Sequence, residues 1–295
     1  MAGNRYFPPD FDPQASYAAL VTVHPGGGVK EQTAGRYAGK LAERGYVTLA
    51  FDASHQGESG GDPHHLEDPA ARVEDIRAAV DFLQSLDYVD AERIGVWGIC
   101  AGGRYAVNAA MTDHRIKAVG IVSARHRRLL AAGLVRHRSR LGRGADVGGG
   151  RPAAHRRSPR RRDRVQPVRC GRTRQGHPDD LVQAREYYLT PRAQHPNAKN
   201  KYLMAKNLSK IFAFDAFHLV EDLLTRPILM AGSDAGSLWN TTGLHSRVRS
   251  EKKLVIVDGG THMDFYDVPK YVDRAVAEAT SFFEEHLAAP SGGAS

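Results

Sequence analysis

Cysteine is scarce in this sequence: Cys100 and Cys170 are the only two among 295 residues. That is too few for a disulfide framework, so each thiol has to be judged by its local setting. Long apolar runs are missing as well. No stretch approaches the roughly 18 residues needed to cross a bilayer, and the opening MAGNRYFPPDFDP has neither the basic flank nor the apolar core of a signal peptide. A cytoplasmic location and no membrane partner are the expectations that follow. Phosphate-loop signatures are lacking too. The run Gly26-Gly27-Gly28 fits neither G-x-G-x-x-G nor a loop closed by Lys-Ser or Lys-Thr, which argues against a nucleotide site.

What is present is a chain of 41% hydrophobic residues, long enough to bury one large α/β core, and 1–295 reads as a single domain. Its net charge of +8 is unevenly spread: residues 125–174 hold 17 arginines, no lysine and only two acids, Asp146 and Asp163. The rest of the chain is therefore net negative, and no nucleic-acid partner is expected. The same stretch contains no Phe, Trp, Tyr or Ile, so it cannot bury enough apolar surface to offset its conformational entropy. A nucleic-acid-binding arm is disfavoured because no aromatic is available to stack on bases. Two readings remain for the Arg-rich part, 125–178, of a lid or cap insertion spanning 125–195. It is a disordered insertion, or, preferably, a stretch translated out of frame, since GC-rich codons in the wrong register yield mainly Arg, Ala, Gly and Pro. On either reading Cys170 has no functional role.

Outside that stretch the apolar pattern alternates strand with helix. Strands are predicted at Ala18–Pro25, Tyr46–Phe51, Arg93–Trp97, Ile116–Val122, Pro227–Ala231 and Lys253–Val257. Helices are predicted at about Gln32–Arg44, Pro69–Leu86, from Tyr105 to Met111 and from Tyr271 to Leu287, with apolar residues such as Val73, Ile76, Val80 and Leu83 recurring on one face. Strand and helix in this alternation imply an α/β fold with a mostly parallel central sheet flanked by helices.

Gly98-Ile99-Cys100-Ala101-Gly102 fits the G-x-nucleophile-x-G turn, with Cys where Ser is usual, between a strand and a helix as that motif requires. The flanking glycines make room for a nucleophile in a strained backbone conformation. The helix N-terminus puts partial positive charge beside the sulfur. The bland alternative is a buried free cysteine beside a glycine turn. A base is expected late in the chain, and His262 follows the last strand in DGGTHMD. The acid is expected at the end of the preceding strand, where PILMAGSD supplies Asp234, to orient the imidazole. Asp264 competes for that role, with helix capping as its plainer reading. Oxyanion donors are expected from the amide of Ala101 and from Gly26 and Gly27 in the HPGGG loop. Glu31 follows that loop closely enough to reach the thiol as an outer-sphere group, or serves only as an acid at a helix N-terminus.

Together with HPGGGVKEQTAG, FDASHQGESGG, YYLTPRAQHPNA, AFDAFHL, AGSDAGSLW and GGTHMDFYD, these motifs resemble the dienelactone-hydrolase-like branch of the α/β-hydrolases, in particular the bacterial YcjY-like hydrolases. The resemblance covers about 5–124 and 180–288. It implies an α/β-hydrolase fold, a Cys100-Asp234-His262 triad, and neither metal nor cofactor. That group carries an N-terminal hairpin of which only AGNRYFPPDFDP stands here, so the N-terminal edge strands are expected to be truncated. The expected partner is a small-molecule acyl substrate, with a homodimer left open. The leading functional expectation is hydrolysis of a small ester, lactone or thioester through an acyl-cysteine. Acyl transfer with the same triad, or an inactive or misfolded homologue, are the alternatives.

Overall fold

In a parallel sheet covered on both faces, strands are apolar on both sides, and their alternate residues must feed two separate cores. The second strand shows this: Ala19, Val21 and Val23 point into one cluster with Val73, Ile76, Val80 and Tyr105. Ala18 and Leu20 point into the other with Tyr37, Leu41, Trp97 and Phe283.

The computed structural model describes residues 1–124, 166–167, 180–198, 201–202, 204–234 and 238–289. Its main sheet has seven strands: β1 (Gly3–Tyr6), β2 (Tyr17–Val23), β3 (Val47–Phe51), β4 (Val89–Ile99), β5 (Ile116–Val122), β8 (Ile228–Gly232) and β9 (Lys252–Ile256), in the order β1-β3-β2-β4-β5-β8-β9. Every pairing is parallel except that of β1 with β3. A two-residue pairing joins β6 (Gln166–Pro167) to β7 (Lys201–Tyr202). The segment ahead of β2 supplies one antiparallel edge strand, which sequence patterning does not signal because four residues, GNRY, carry too short a pattern.

Helices α1 (Gly35–Ala42), α2 (Pro69–Gln84), α3 (Ala101–Ala110), α4 (Asp180–Leu189), α5 (Met204–Ala213), α6 (Val220–Leu223), α7 (Leu238–Arg247), α8 (Asp264–Asp267) and α9 (Pro269–His286) complete the described elements. α2 starts where Asp68 accepts from the Ala70 amide and Pro69 occupies the first turn, the expected chemistry of a helix start. The first predicted helix differs. A wide π-type turn at Lys30–Ala34 precedes α1, with Gln32 out of helical geometry, because Lys30 is drawn into an ion network described below. Among the described residues no helix is long and apolar enough to cross a membrane. The Arg-rich stretch lies outside the described residues except for Gln166–Pro167, and so does Cys170.

Trp97 anchors the α1/α9 side of the sheet, fully buried between Tyr37 and Phe283. Its ring fills the space over Gly120, where an added Cβ would come within 2.3 Å of it. Trp97→Ala is expected to cost about 3–5 kcal/mol, read as a lower urea midpoint at unchanged slope. Trp97→Phe should cost less, because the buried indole N–H has no acceptor to lose among the described residues.

Candidate active site

β4 runs apolar and buried to Ile99, and the chain then reverses into α3 through one residue, Cys100, at φ 55° and ψ −114°. A non-glycine residue in that region is held only where its surroundings demand it, at a cost of about 1–3 kcal/mol. Here the Cys100 amide is tied to the Val122 carbonyl at 3.0 Å. The flanking glycines explain the motif sterically. A Cβ on Gly98 would lie 2.5 Å from the Gly103 Cα, and one on Gly102 would lie 2.3 Å from the Val23 carbonyl oxygen. Cys100 is a free, buried thiol at the N-terminus of α3. Ala101 begins the helix, so its amide is among the donors a helix leaves without an intrahelical acceptor.

The glycine loop leaves β2 beside this turn. Gly27 has φ 71°, and the Gly28 amide donates to the Pro25 carbonyl at 3.1 Å. Below it His24 is fully buried. Its Nε2 accepts from the Ala53 amide at 3.1 Å and its Nδ1 lies 2.7 Å from the Pro25 carbonyl, so Nδ1 carries the hydrogen. An Arg72 guanidinium nitrogen lies 2.9 Å from the imidazole Nε2 and another donates to the His24 carbonyl at 2.5 Å, while the guanidinium carbon sits 5.0 Å from the Tyr105 ring centroid. Burial, reinforced by the charge of Arg72, holds the His24 pKa well below its ordinary value. The loop therefore rests on a neutral histidine.

A second network fixes the loop's far end. The buried Asp52 carboxylate accepts from the Lys30 amide (2.8 Å), the Lys30 ammonium (2.8 Å) and the Glu58 amide (2.9 Å). Lys30 also donates to Glu31 at 2.7 Å and to Glu58 at 2.5 Å. Burial alone would lower the Lys30 pKa, but its hydrogen bonds to Asp52, Glu31 and Glu58 outweigh that and raise it. Glu31, Asp52 and Glu58 are close enough to hold a cation, and the Lys30 ammonium occupies that position. Glu31 bonds Lys30 and Asn197, so its role among the described residues is to join the glycine loop to the segment after α4. Glu31 also stands in the first turn at Lys30–Ala34, the plainer of its two sequence readings.

The remaining predicted residues lie at the same carboxyl edge of the sheet. Asp234 follows β8, and its Oδ1 accepts from the Gly259 amide at 2.8 Å, three residues before His262. The acid thereby reaches the loop that carries the histidine. Asp264 accepts from the Thr261 amide at 2.8 Å, a turn-closing bond that accords with its plainer reading. His262 is buried, with Nδ1 2.9 Å from Ser123 Oγ and Nε2 3.2 Å from Tyr266 Oη. Neither partner stands out in the sequence. Ser123 merely ends the strand IKAVGIV, and Tyr266 sits one helical turn beyond His262, a spacing that is a usable signal in retrospect.

Tyr266 stacks edge-to-face on Tyr187 and Tyr188 of α4, with centroids 5.1 and 6.3 Å apart. A Cβ on Gly28 would lie 3.5 Å from the Tyr188 hydroxyl. The three tyrosines share one buried cluster with Cys100, so an aromatic wall joins the glycine loop to the histidine loop.

Against known proteins, the profile of the dienelactone hydrolase family matches residues 10–122. The chain is 46% identical over 297 residues to the protein YcjY of Escherichia coli (strain K12), covering 96% of this chain and 93% of that one. The crystal structure of PA2218 from Pseudomonas aeruginosa superposes with a TM-score of 0.76 at 31% identity, over 96% of this chain and 88% of that one. The thiohydrolase aneE of Aspergillus aculeatus is 36% identical over 106 residues, 36% of this chain and 33% of its own.

Two outcomes are expected from this arrangement. The unfolded chain protonates its histidines near pH 6.5, while folded His24 stays neutral. Its contribution is therefore present above about pH 6.5 and lost as the pH falls below it. Urea titrations between pH 7 and 5 should show a shallower loss of stability in His24→Asn than in the wild type. Lys30→Met leaves the Asp52 carboxylate buried without its cation, and a loss of about 3–5 kcal/mol is expected in the same titration at neutral pH.

Proposed function

The chain belongs to the dienelactone hydrolase family and is a hydrolase of the α/β-hydrolase type, and from that premise we propose that it cleaves a small ester, lactone or thioester through an acyl-Cys100 intermediate. The observation that carries the reading is the backbone of Cys100. A free cysteine held at φ 55° between a buried strand and a helix N-terminus has its thiol at the point where the fold presents a nucleophile. Similarity to a fungal thiohydrolase over about a third of the chain supports a thioester or ester as the bond attacked.

In this mechanism His262 Nε2 exchanges the Tyr266 hydroxyl for the Cys100 thiol and takes its proton as sulfur attacks the acyl carbon. The oxyanion that forms accepts hydrogen bonds from the Ala101 amide and from the Gly26-Gly27 turn. Collapse expels the alcohol or thiol, which leaves with the proton from His262. Water then attacks the acyl-cysteine while His262 again takes a proton, and the acid departs as the thiol is restored. Asp234 holds the histidine loop throughout. The aromatic wall of Tyr187, Tyr188 and Tyr266 suits a compact apolar acyl group.

Intact-protein mass spectrometry after brief exposure to an activated aryl ester should show a transient acyl adduct on the wild type and none on Cys100→Ala. The variant's kcat/KM should fall by roughly three orders of magnitude or more. An adduct that persists in Cys100→Ala, or none on a wild type that melts cooperatively, would overturn the proposal.

A further inference from the structure

Ser123 is the first residue beyond β5, buried, and at φ 49°. Left-handed backbone costs a serine roughly 1 kcal/mol or more that a glycine would be spared. Cys100 and Ser123 adopt it at the ends of two adjacent central strands. At Cys100 the side chain is the proposed nucleophile, and at Ser123 the side chain meets the proposed base.

Two acceptors share the one hydrogen of Ser123 Oγ. Ser123 Oγ lies 3.3 Å from the His262 carbonyl oxygen and 2.9 Å from His262 Nδ1. A hydroxyl has one hydrogen and the carbonyl can only accept. When that hydrogen goes to the carbonyl, a lone pair of Oγ faces Nδ1, which then carries its own hydrogen. In that arrangement the lone pair of the neutral ring is on Nε2, facing Tyr266 Oη 3.2 Å away. This is the tautomer a general base needs if Nε2 is to take a proton. Two carboxylates hold the loop that carries this ring, Asp234 through the Gly259 amide and Asp264 through the Thr261 amide.

We propose that Ser123 is a positioning residue that sets the tautomer of His262 and supports its protonated form at Nδ1, alongside Asp234. The inference rests on the reading of Cys100 and His262 as nucleophile and base. The Ser123 backbone is anchored to β8, since its amide donates to the Ala231 carbonyl at 2.9 Å.

The test uses the full chain and Ser123→Gly, which removes the hydroxyl and relieves the backbone at once, so thermal melting should be no lower than in the wild type. With an activated aryl ester, kcat should fall roughly tenfold to a hundredfold, the range of a hydrogen bond to a charged group, with KM within about twofold. The pH profile of Cys100 alkylation by iodoacetamide supplies a readout that a structural role would not move. Without an acceptor at Nδ1 the imidazolium partner of the thiolate forms less readily, so the half-maximal pH should rise while the limiting rate at high pH stays the same. Ser123→Asn, which tolerates the left-handed backbone and offers an amide oxygen, should recover part of both. Wild-type kcat and an unshifted alkylation profile in Ser123→Gly would overturn the role assigned to Ser123. A wild type that forms no acyl adduct overturns the hydrolytic reading of Cys100, and the alkylation profile still decides the Ser123–His262 contact.

Discussion

The reversal of the chain at Cys100 is the constraint on which the rest of the site depends. A parallel strand can pass into a helix through a single residue only if that residue takes a positive φ and the backbone on either side is stripped of side chains. Gly98 and Gly102 meet the second condition, each where an added carbon would enter another backbone segment. One of those segments is β2 at Val23, immediately before the glycine loop. Close packing at the elbow therefore sets where the glycine loop begins, and the proposed nucleophile and that loop are built as one unit.

Two buried cations then hold that loop from opposite ends. Arg72 meets the His24 carbonyl and ring, while Lys30 meets Asp52, Glu31 and Glu58. Buried charges are expensive unless paired and hydrogen-bonded. They also resist displacement once paired, because any movement that breaks a pair leaves a charge uncompensated. A loop of consecutive glycines has little stiffness of its own. The rigidity that the proposed oxyanion role requires is supplied by its charged neighbours.

Much of this was legible from residue order. The strand-helix alternation, the elbow at Cys100, the glycine loop, and the placement of Asp234 and His262 after the last strands each rest on local pattern, and Ile116–Val122 appears with the bounds expected. Boundaries drifted where tertiary contacts intervened. β4 starts at Val89 rather than Arg93, because Val89 pairs with Tyr17 across the sheet. The turn at Lys30–Ala34 replaces helix because the Lys30 amide is committed to Asp52, twenty-two residues away.

By itself the sequence determined the architecture and the chemical types at the site, since periodicity, glycine spacing and chain order are local properties that a parallel sheet converts directly into layers and edge positions. Only the tertiary structure decided who touches whom. The Ser123 contact of His262, the pairing of Lys30 with Asp52 and the Ala53 amide on the neutral His24 join residues 22 to 139 positions apart. Such contacts depend on which strands become neighbours and in what register, and that is settled by the packing of the whole sheet rather than by any window of the chain.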